Sequence, residues 1–313
     1  MLFRQTSRSL TVLAPAKLNL FLRIVAKRAD GFHDLESVMA TIGVYDTLVL
    51  EAASSCEIDL SVVDSSPRTM TGSMRLEAPV GPENLVIRAA NLLRERTGCG
   101  NGVRITLVKR IPSSAGLGGG SSDCAAALAG LNRLWNLQLS HPELLELACE
   151  LGSDVAFFLA DTPLAVCTGR GEHIEPLPCS TRLHFVVAKP MSGLSTPAVF
   201  REWSFASGNH SRSKLPLTAQ PTVASFVESL ACHDVVSTAR RLHNGLQAPA
   251  EALNSDVRQM RQLFERLPVI GHQMSGSGSS YFGICASRRQ ALGVASRLRA
   301  AGVPWVQAVR SCP

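Results

Sequence analysis

The order of apolar and polar positions predicts a chain of mixed strands and helices. Residues 10–13 and 18–25 read as strands on either side of a break at Ala14-Pro15-Ala16-Lys17, and Arg28-Ala29-Asp30-Gly31 is a turn signal. Further strands are predicted at 38–42, 47–51 and 58–63. Residues 84–96 carry apolar side chains at 85, 86, 89, 92 and 93, the spacing of one helical face. Segment 103–108 alternates as a strand does, and 124–135 is an Ala/Leu-rich helix. Another helix is predicted at 142–151, with Ser140 as N-cap and Gly152 just beyond its end. Residues 183–188 read as a strand opening a second domain, 67–81 and 207–221 as loops, and 223–232, 235–242 and 255–266 as helices. The chain closes with strand 281–285, helix 288–300 and strand 305–309. This mixture without a repeat of fixed period defines an α/β or α+β protein, and 313 residues favour two domains over one.

Composition narrows the function classes. The chain is 45% hydrophobic and 18% charged, which places it among globular proteins and outside disorder. Its net charge of +6 suits an anionic ligand as well as nucleic acid, but aromatic content is only 5% and no basic run interleaves with rings, so nucleic acid is not expected as a partner. Nothing approaches 18 uninterrupted apolar residues, so no membrane span is expected. The nine cysteines, at 56, 99, 124, 149, 167, 179, 232, 285 and 312, form no C-x-x-C pair. An odd, scattered set points to reduced thiols in a cytoplasmic setting.

The strongest local signal is Pro112-Ser113-Ser114-Ala115-Gly116-Leu117-Gly118-Gly119-Gly120-Ser121-Ser122, set between the strand at 103–108 and the helix at 124–135. Glycine admits positive φ and lets backbone N–H groups approach a ligand closely. A helix that starts at the end of such a loop adds unpaired donors and a partial positive charge, and together these cradle phosphate. Ser121 and Ser122 add hydroxyls for phosphate or Mg²⁺. The P-loop spacing fails because no Lys follows these glycines, and G-x-G-x-x-G fails because position 121 is Ser. A plain Gly/Ser linker is the alternative, although linkers are not usually bounded by a β-branched strand and an Ala-rich helix.

Two charged residues precede apolar runs. Asp154, in Leu151-Gly152-Ser153-Asp154-Val155, is either a catalytic carboxylate or an N-cap for the segment that follows. Lys17 lies just ahead of the strand at 18–25 and is either functional or a lysine that reaches out to solvent. Asn19, two residues on, shares its strand face.

Together these segments resemble the GHMP small-molecule kinases. Three motifs carry the likeness: Ala14-Pro15-Ala16-Lys17-Leu18-Asn19-Leu20, the glycine-rich stretch at 112–122, and Met274-Ser275-Gly276-Ser277-Gly278-Ser279-Ser280. Arg28-Ala29-Asp30-Gly31-Phe32-His33-Asp34-Leu35 resembles, within that family, the branch acting on CDP-methylerythritol in the non-mevalonate isoprenoid pathway. Another GHMP kinase, of homoserine or mevalonate type, is the alternative.

The resemblance implies an α+β fold. Residues 1–178 would form an N-terminal domain like part of ribosomal protein S5, and 179–313 a ferredoxin-like α/β domain. It implies ATP and Mg²⁺ as cofactors and a small-molecule substrate, and it leaves monomer and homodimer open. Asp154 matches the catalytic aspartate and Lys17 the lysine that orients it. Residues 112–122, Asn84 and Lys109 match ATP-side positions, with Ser122 a Mg²⁺ contact. Asn19, Phe32, His33, Thr196 and Phe200 match substrate-side positions, the two phenylalanines flanking the cytosine and His33 bonding to it. Asp123 stands where the family often has Asn, and a charge there is expected to face Mg²⁺ or solvent.

Overall fold

Two long strands organise the first half of the molecule. The computed structural model describes every residue except 7, 66–75, 77, 161, 179–181, 210–220 and 313. Most of the predicted loops at 67–81 and 207–221 lie outside the described residues. β1 (Leu2–Gln5) pairs with β2 (Leu10–Lys27), and β2 pairs antiparallel with β3 (His33–Ala53). The sequence predicts two short strands in each of these spans, but both run through. At Pro15/Ala16 the register slips and pairing resumes, so the expected break is a bulge, one of the few places a sheet tolerates proline.

β4 (Ile58–Asp64) lies parallel to β5 (Gly102–Lys109), and β5 pairs antiparallel with the second half of β3. Helix α1 (Leu85–Thr97) comes between them in sequence, with Asn84 as N-cap. Helix α2 (Gly119–Leu134) starts five residues before its Ala-rich stretch. Its first turn, Gly-Gly-Ser-Ser, has poor helix propensity, so packing sets its start and composition hides it. Helix α3 (His141–Leu151) carries a complete capping box from Ser140 and Glu143, as predicted for its start. Helix α4 (Ser153–Leu159) follows, then β6 (Leu164–Gly169) and β7 (His173–Pro176), and β6 closes onto the first half of β3.

The second half contains β8 (His184–Lys189), α5 (Thr196–Asn209), α6 (Val223–Ala231), α7 (Val235–Arg240), β9 (His243–Asn244), α8 (Gln247–Leu253) and α9 (Ser255–Glu265). It ends with β10 (Gly271–Met274), β11 (Tyr281–Cys285), α10 (Arg288–Ala300) and β12 (Trp305–Arg310). Its four antiparallel strands lie in the order β10-β11-β8-β12, the ferredoxin-like arrangement.

The two sheets share a core. Leu18, Leu20, Phe21 and Ile42 of the first pack in one buried cluster with Phe185, Phe282, Ile284 and Trp305 of the second. Full burial of each such side chain is worth about 1.5–3 kcal/mol. β9 also crosses over to pair with β2 at Phe21 and Leu22. A large apolar junction with a shared strand makes a firm floor for whatever lies between the halves. No described helix is long and apolar enough to cross a membrane.

Candidate active site

The glycine-rich loop meets both other small-residue motifs. Gly116, with φ +71°, packs so tightly that a Cβ there would drive into the Ser275 carbonyl oxygen. Ser275 Oγ donates to the Gly116 carbonyl at 3.0 Å, and Ser280 N donates to the Ala115 carbonyl at 3.1 Å. Asn19 N donates in turn to Ser275 Oγ at 3.2 Å. The Gly116 requirement is therefore loop-on-loop packing, where the sequence alone suggested room for a ligand. Gly118 is the N-cap of α2, in the left-handed region at φ 70°, with no side-chain cap bond. A Cβ on Gly118 would sit 3.0 Å from Lys17 Cγ and from the Phe158 ring, whereas one on Gly120 would meet nothing nearer than Leu85 Cδ1 at 3.9 Å. The start of α2 thus offers uncapped N–H donors beside open space, a site suited to an anion.

Lys17 and Asp154 are neighbours. The Lys17 main chain donates to the Leu117 carbonyl at 3.0 Å, and its ammonium lies 3.4 Å from Asp154 Oδ2. The lysine side chain is 5% exposed and the aspartate 35%. Asp154 is in the first turn of α4, whose N-cap is Gly152, so the capping alternative does not hold. Lys17 Nζ also donates to Asn19 Oδ1 at 2.5 Å. Asn19 Nδ2 donates to Ser37 Oγ at 2.8 Å, and Ser37 Oγ to the Phe21 carbonyl at 2.8 Å. Asn19 was expected as a substrate contact. It lines the cleft, and its amide bonds at both ends within the protein and holds Lys17.

Beneath the loop lies a second charged cluster. Lys109 Nζ bonds both Asp46 Oδ2 and Asp123 Oδ2, the latter at 2.7 Å, and all three side chains are buried. Asp46 Oδ1 also accepts from the amides of Arg110, at 2.5 Å, and Ile111, at 2.9 Å. Asp123 Oδ1 has no hydrogen-bond partner among the described residues. Burial, reinforced by the charge of Asp46, pushes the Asp123 carboxyl up to about 7 against the pull of Lys109. Burial would depress the Lys109 ammonium, but Asp123 and Asp46 outweigh it and hold it above the ordinary lysine value. Asp123, expected to face Mg²⁺ or solvent, is buried and bonded to Lys109, both residues bordering the cleft. Lys109, expected beside the nucleotide, lines the cleft with the glycine-rich loop, and its ammonium is engaged by these two carboxylates.

The opposite end of the cleft is aromatic. His33 stacks on Phe200 with centroids 4.9 Å apart and meets the Trp203 ring edge-on at 5.4 Å. His33 Nε2 lies 3.1 Å from Ser204 Oγ. Phe32 is 53% exposed, with the Arg170 guanidinium 4.8 Å from its ring centroid. One face of Phe200 is thus covered by His33, so Phe32 and Phe200 do not stand as two bare faces. Thr196 Oγ1 lies 2.7 Å from Ser277 Oγ, tying α5 to the 274–280 loop.

A cavity of about 1220 Å³ joins these parts. Its wall includes Lys17, Asp154, Phe32, His33, Thr196 and Phe200, together with residues 112–121. Single small-molecule pockets run to roughly 300–1,000 Å³, so this one has room for two ligands. Asn84 lines it too, but its side chain caps α1 through Val86 N and donates to the Pro79 carbonyl. Ser122 does not line it: its hydroxyl is buried and unpartnered. The sequence gives no sign of Ser37, Asp46, Arg170, Trp203, Ser204 or Asn244. Asn244 Nδ2 holds the Met274 and Gly276 carbonyls at 2.8 and 2.9 Å. These are single polar or aromatic residues in ordinary contexts, brought to the site only by the fold.

A phosphate-ready helix start, a lysine–aspartate pair and a two-ligand cleft between an N-terminal α+β half and a ferredoxin-like half define a GHMP kinase. The family models for the GHMP kinases N terminal domain and the GHMP kinases C terminal match residues 84–162 and 226–304. The chain is 38% identical over 299 residues to the 4-diphosphocytidyl-2-C-methyl-D-erythritol kinase of Paramagnetospirillum magneticum, covering 95% of this chain and 96% of that one. It is 37% identical over 271 residues to the enzyme of that name from Bacillus pumilus, covering 87% and 86%. A crystal structure of 4-(cytidine 5'-diphospho)-2C-methyl-D-erythritol kinase superposes with a TM-score of 0.75 at 35% identity, over 97% of this chain and 100% of that one. The chain belongs to the 4-diphosphocytidyl-2-C-methyl-D-erythritol kinase family.

Proposed function

We propose that this protein transfers the γ-phosphoryl group of ATP to the 2-hydroxyl of 4-diphosphocytidyl-2-C-methyl-D-erythritol, a step of the non-mevalonate isoprenoid pathway, in the cytoplasm. The observation that carries this is the Asp154 carboxylate 3.4 Å from the Lys17 ammonium, on the wall of the cavity that also holds the open start of α2. The family membership and the aromatic end of the cleft support the cytidine-linked acceptor.

ATP fits the residues present. The uncapped N–H groups at the start of α2, the open face of Gly120 and the backbone of residues 113–118 would hold its phosphates. The acceptor lies toward Phe32, His33, Thr196 and Phe200, with 1–178 and 179–313 as the domains on either side. Mg²⁺ fits as well. Among the described residues no group of three His, Cys, Asp or Glu side chains could cage a metal, and the ion would be held through the ATP phosphates, the usual arrangement for Mg²⁺. Ser121, which lines the cavity, would offer it a hydroxyl, whereas the Ser122 hydroxyl expected there is buried off the wall. When bound, Mg²⁺ neutralises charge on the phosphate oxygens.

The acceptor oxygen forms a bond to the γ-phosphorus as the bond from that phosphorus to the β,γ-bridging oxygen breaks, and ADP leaves. Asp154 orients the acceptor hydroxyl and takes its proton. Lys17 orients Asp154 and offsets charge gathering between donor and acceptor. Asn19 and Ser37 fix the lysine. The test is ATP consumption by the purified protein. ADP should appear with the CDP-linked substrate and not with mevalonate or homoserine; turnover with either of those instead would reject the assignment.

A further inference from the structure

We propose that Ser204 is a positioning residue that fixes the proton of the His33 imidazole on Nε2, leaving Nδ1 as an acceptor that selects a base bearing an exocyclic amine. This rests on the reading of His33 as the residue that bonds the base.

The inference follows from counting protons in one short chain of contacts. Ser204 Oγ lies 3.0 Å from the Phe200 carbonyl oxygen and 3.1 Å from His33 Nε2. A hydroxyl has one proton and a carbonyl has none, so the contact to Phe200 is a bond that Ser204 donates. Its oxygen then has only lone pairs for His33. Both contacts are bonds only if Nε2 carries a hydrogen and donates it. The reverse arrangement would set two oxygen lone pairs against each other across the Phe200 contact.

The ring has little freedom to escape this. Phe200 stacks on one face of the imidazole and Trp203 meets it edge-on. Phe200, Trp203 and Ser204 all come from α5, so one helix presents the stacking face, the edge and the hydroxyl together. Burial, and then the charge of Lys27, lower the His33 pKa, which favours the neutral imidazole. A neutral ring with hydrogen on Nε2 must accept at Nδ1. Cytosine offers an N4 amine donor on its pairing edge, where uracil offers an O4 acceptor. An imidazole held as acceptor therefore favours cytosine, and the discrimination rests on a serine on the far side of the ring from the bonded edge.

The test has two arms. In the first, ¹⁵N NMR of the imidazole is recorded on the full-length, ligand-free protein near pH 8. The His33 signals should be those of the neutral Nε2–H form. In Ser204→Ala they should shift toward Nδ1–H, and Ser204→Thr should restore the parent pattern. A parent protein with hydrogen on Nδ1 overturns the proposal, whether or not the variants fold. In the second arm, kinetics are measured with the CDP-linked methylerythritol and its uridine analogue. Ser204→Ala should lose roughly tenfold in preference for the cytidine substrate, the loss falling on KM rather than kcat. An unchanged preference overturns it. If the parent fails to use the cytidine substrate at all, the functional assignment fails, and the first arm still decides the tautomer.

Discussion

Ser275 donates its hydroxyl to the Gly116 carbonyl at 3.0 Å, a bond that joins loops 159 positions apart in sequence. It makes two of the three small-residue motifs a single structural unit. Gly116→Ala should break that unit, because its Cβ would enter the space of the Ser275 carbonyl and φ +71° strains any other residue. We expect a loss of about 1–3 kcal/mol in urea unfolding. Ser275→Ala, which removes two hydrogen bonds without a clash and leaves the buried Asn19 N–H without this acceptor, should cost roughly 1–3 kcal/mol. A Gly116→Ala protein as stable as the parent would contradict this packing.

Gly120 gives the opposite test. The protein leaves a Cβ there free, with Leu85 Cδ1 nearest at 3.9 Å, and alanine is the better helix former. Gly120→Ala should therefore melt no lower than the parent. If phosphate occupies that space, ATP affinity measured by calorimetry should nonetheless fall about tenfold or more. Equal affinity would move the nucleotide away from the start of α2.

Lys109 balances two buried carboxylates. Lys109→Met should cost about 3–5 kcal/mol, since Asp46 and Asp123 are left facing each other out of water. Asp123→Asn bears on the pH profile. The Asp123 carboxyl sits at about 7 when folded against an ordinary value of 3.8, so the folded chain keeps a proton that the unfolded chain has lost. That term lowers stability as pH rises between those two values and is flat above them. In Asp123→Asn that downward slope should disappear from denaturation midpoints measured across the range. A slope identical to the parent would mean the carboxyl is not held up.

Asn19 connects the catalytic pair to the sheet. Asn19→Ala removes the 2.5 Å bond that aims Lys17 and the bond that Ser37 Oγ accepts. Small misplacement of a catalytic group costs roughly a hundredfold, so kcat should fall on that order while the KM for ATP changes little. A rise in substrate KM with kcat intact would instead assign Asn19 to substrate binding.

Much of the architecture was legible in the chain. Helix 288–300 matches α10, and Ser140 and Gly152 bracket α3 as their capping chemistry dictates. Lys17 and Asp154 were visible as charges set against apolar runs. What stayed hidden depends on contacts between distant residues. Pro15 looked like a strand end because a bulge leaves no separate mark in sequence. β7 and β10 are four residues each, too short for alternation to declare itself. The role of Asp123 could not be read because its partners, Asp46 and Lys109, are 63 residues apart in sequence and meet only in the folded core. Ser204 gives no local sign of its bond to His33, 171 positions away.

The central claim is that Asp154, held beside Lys17, serves the acceptor hydroxyl and takes no part in holding ATP. Asp154→Asn keeps the shape and removes the charge. Rapid-quench single turnover with ATP and the CDP-linked substrate should show phosphoryl transfer slowed by about 10²–10⁴, with ATP affinity unchanged by calorimetry. Transfer at the parent rate, or a collapse of ATP binding in its place, would contradict the account.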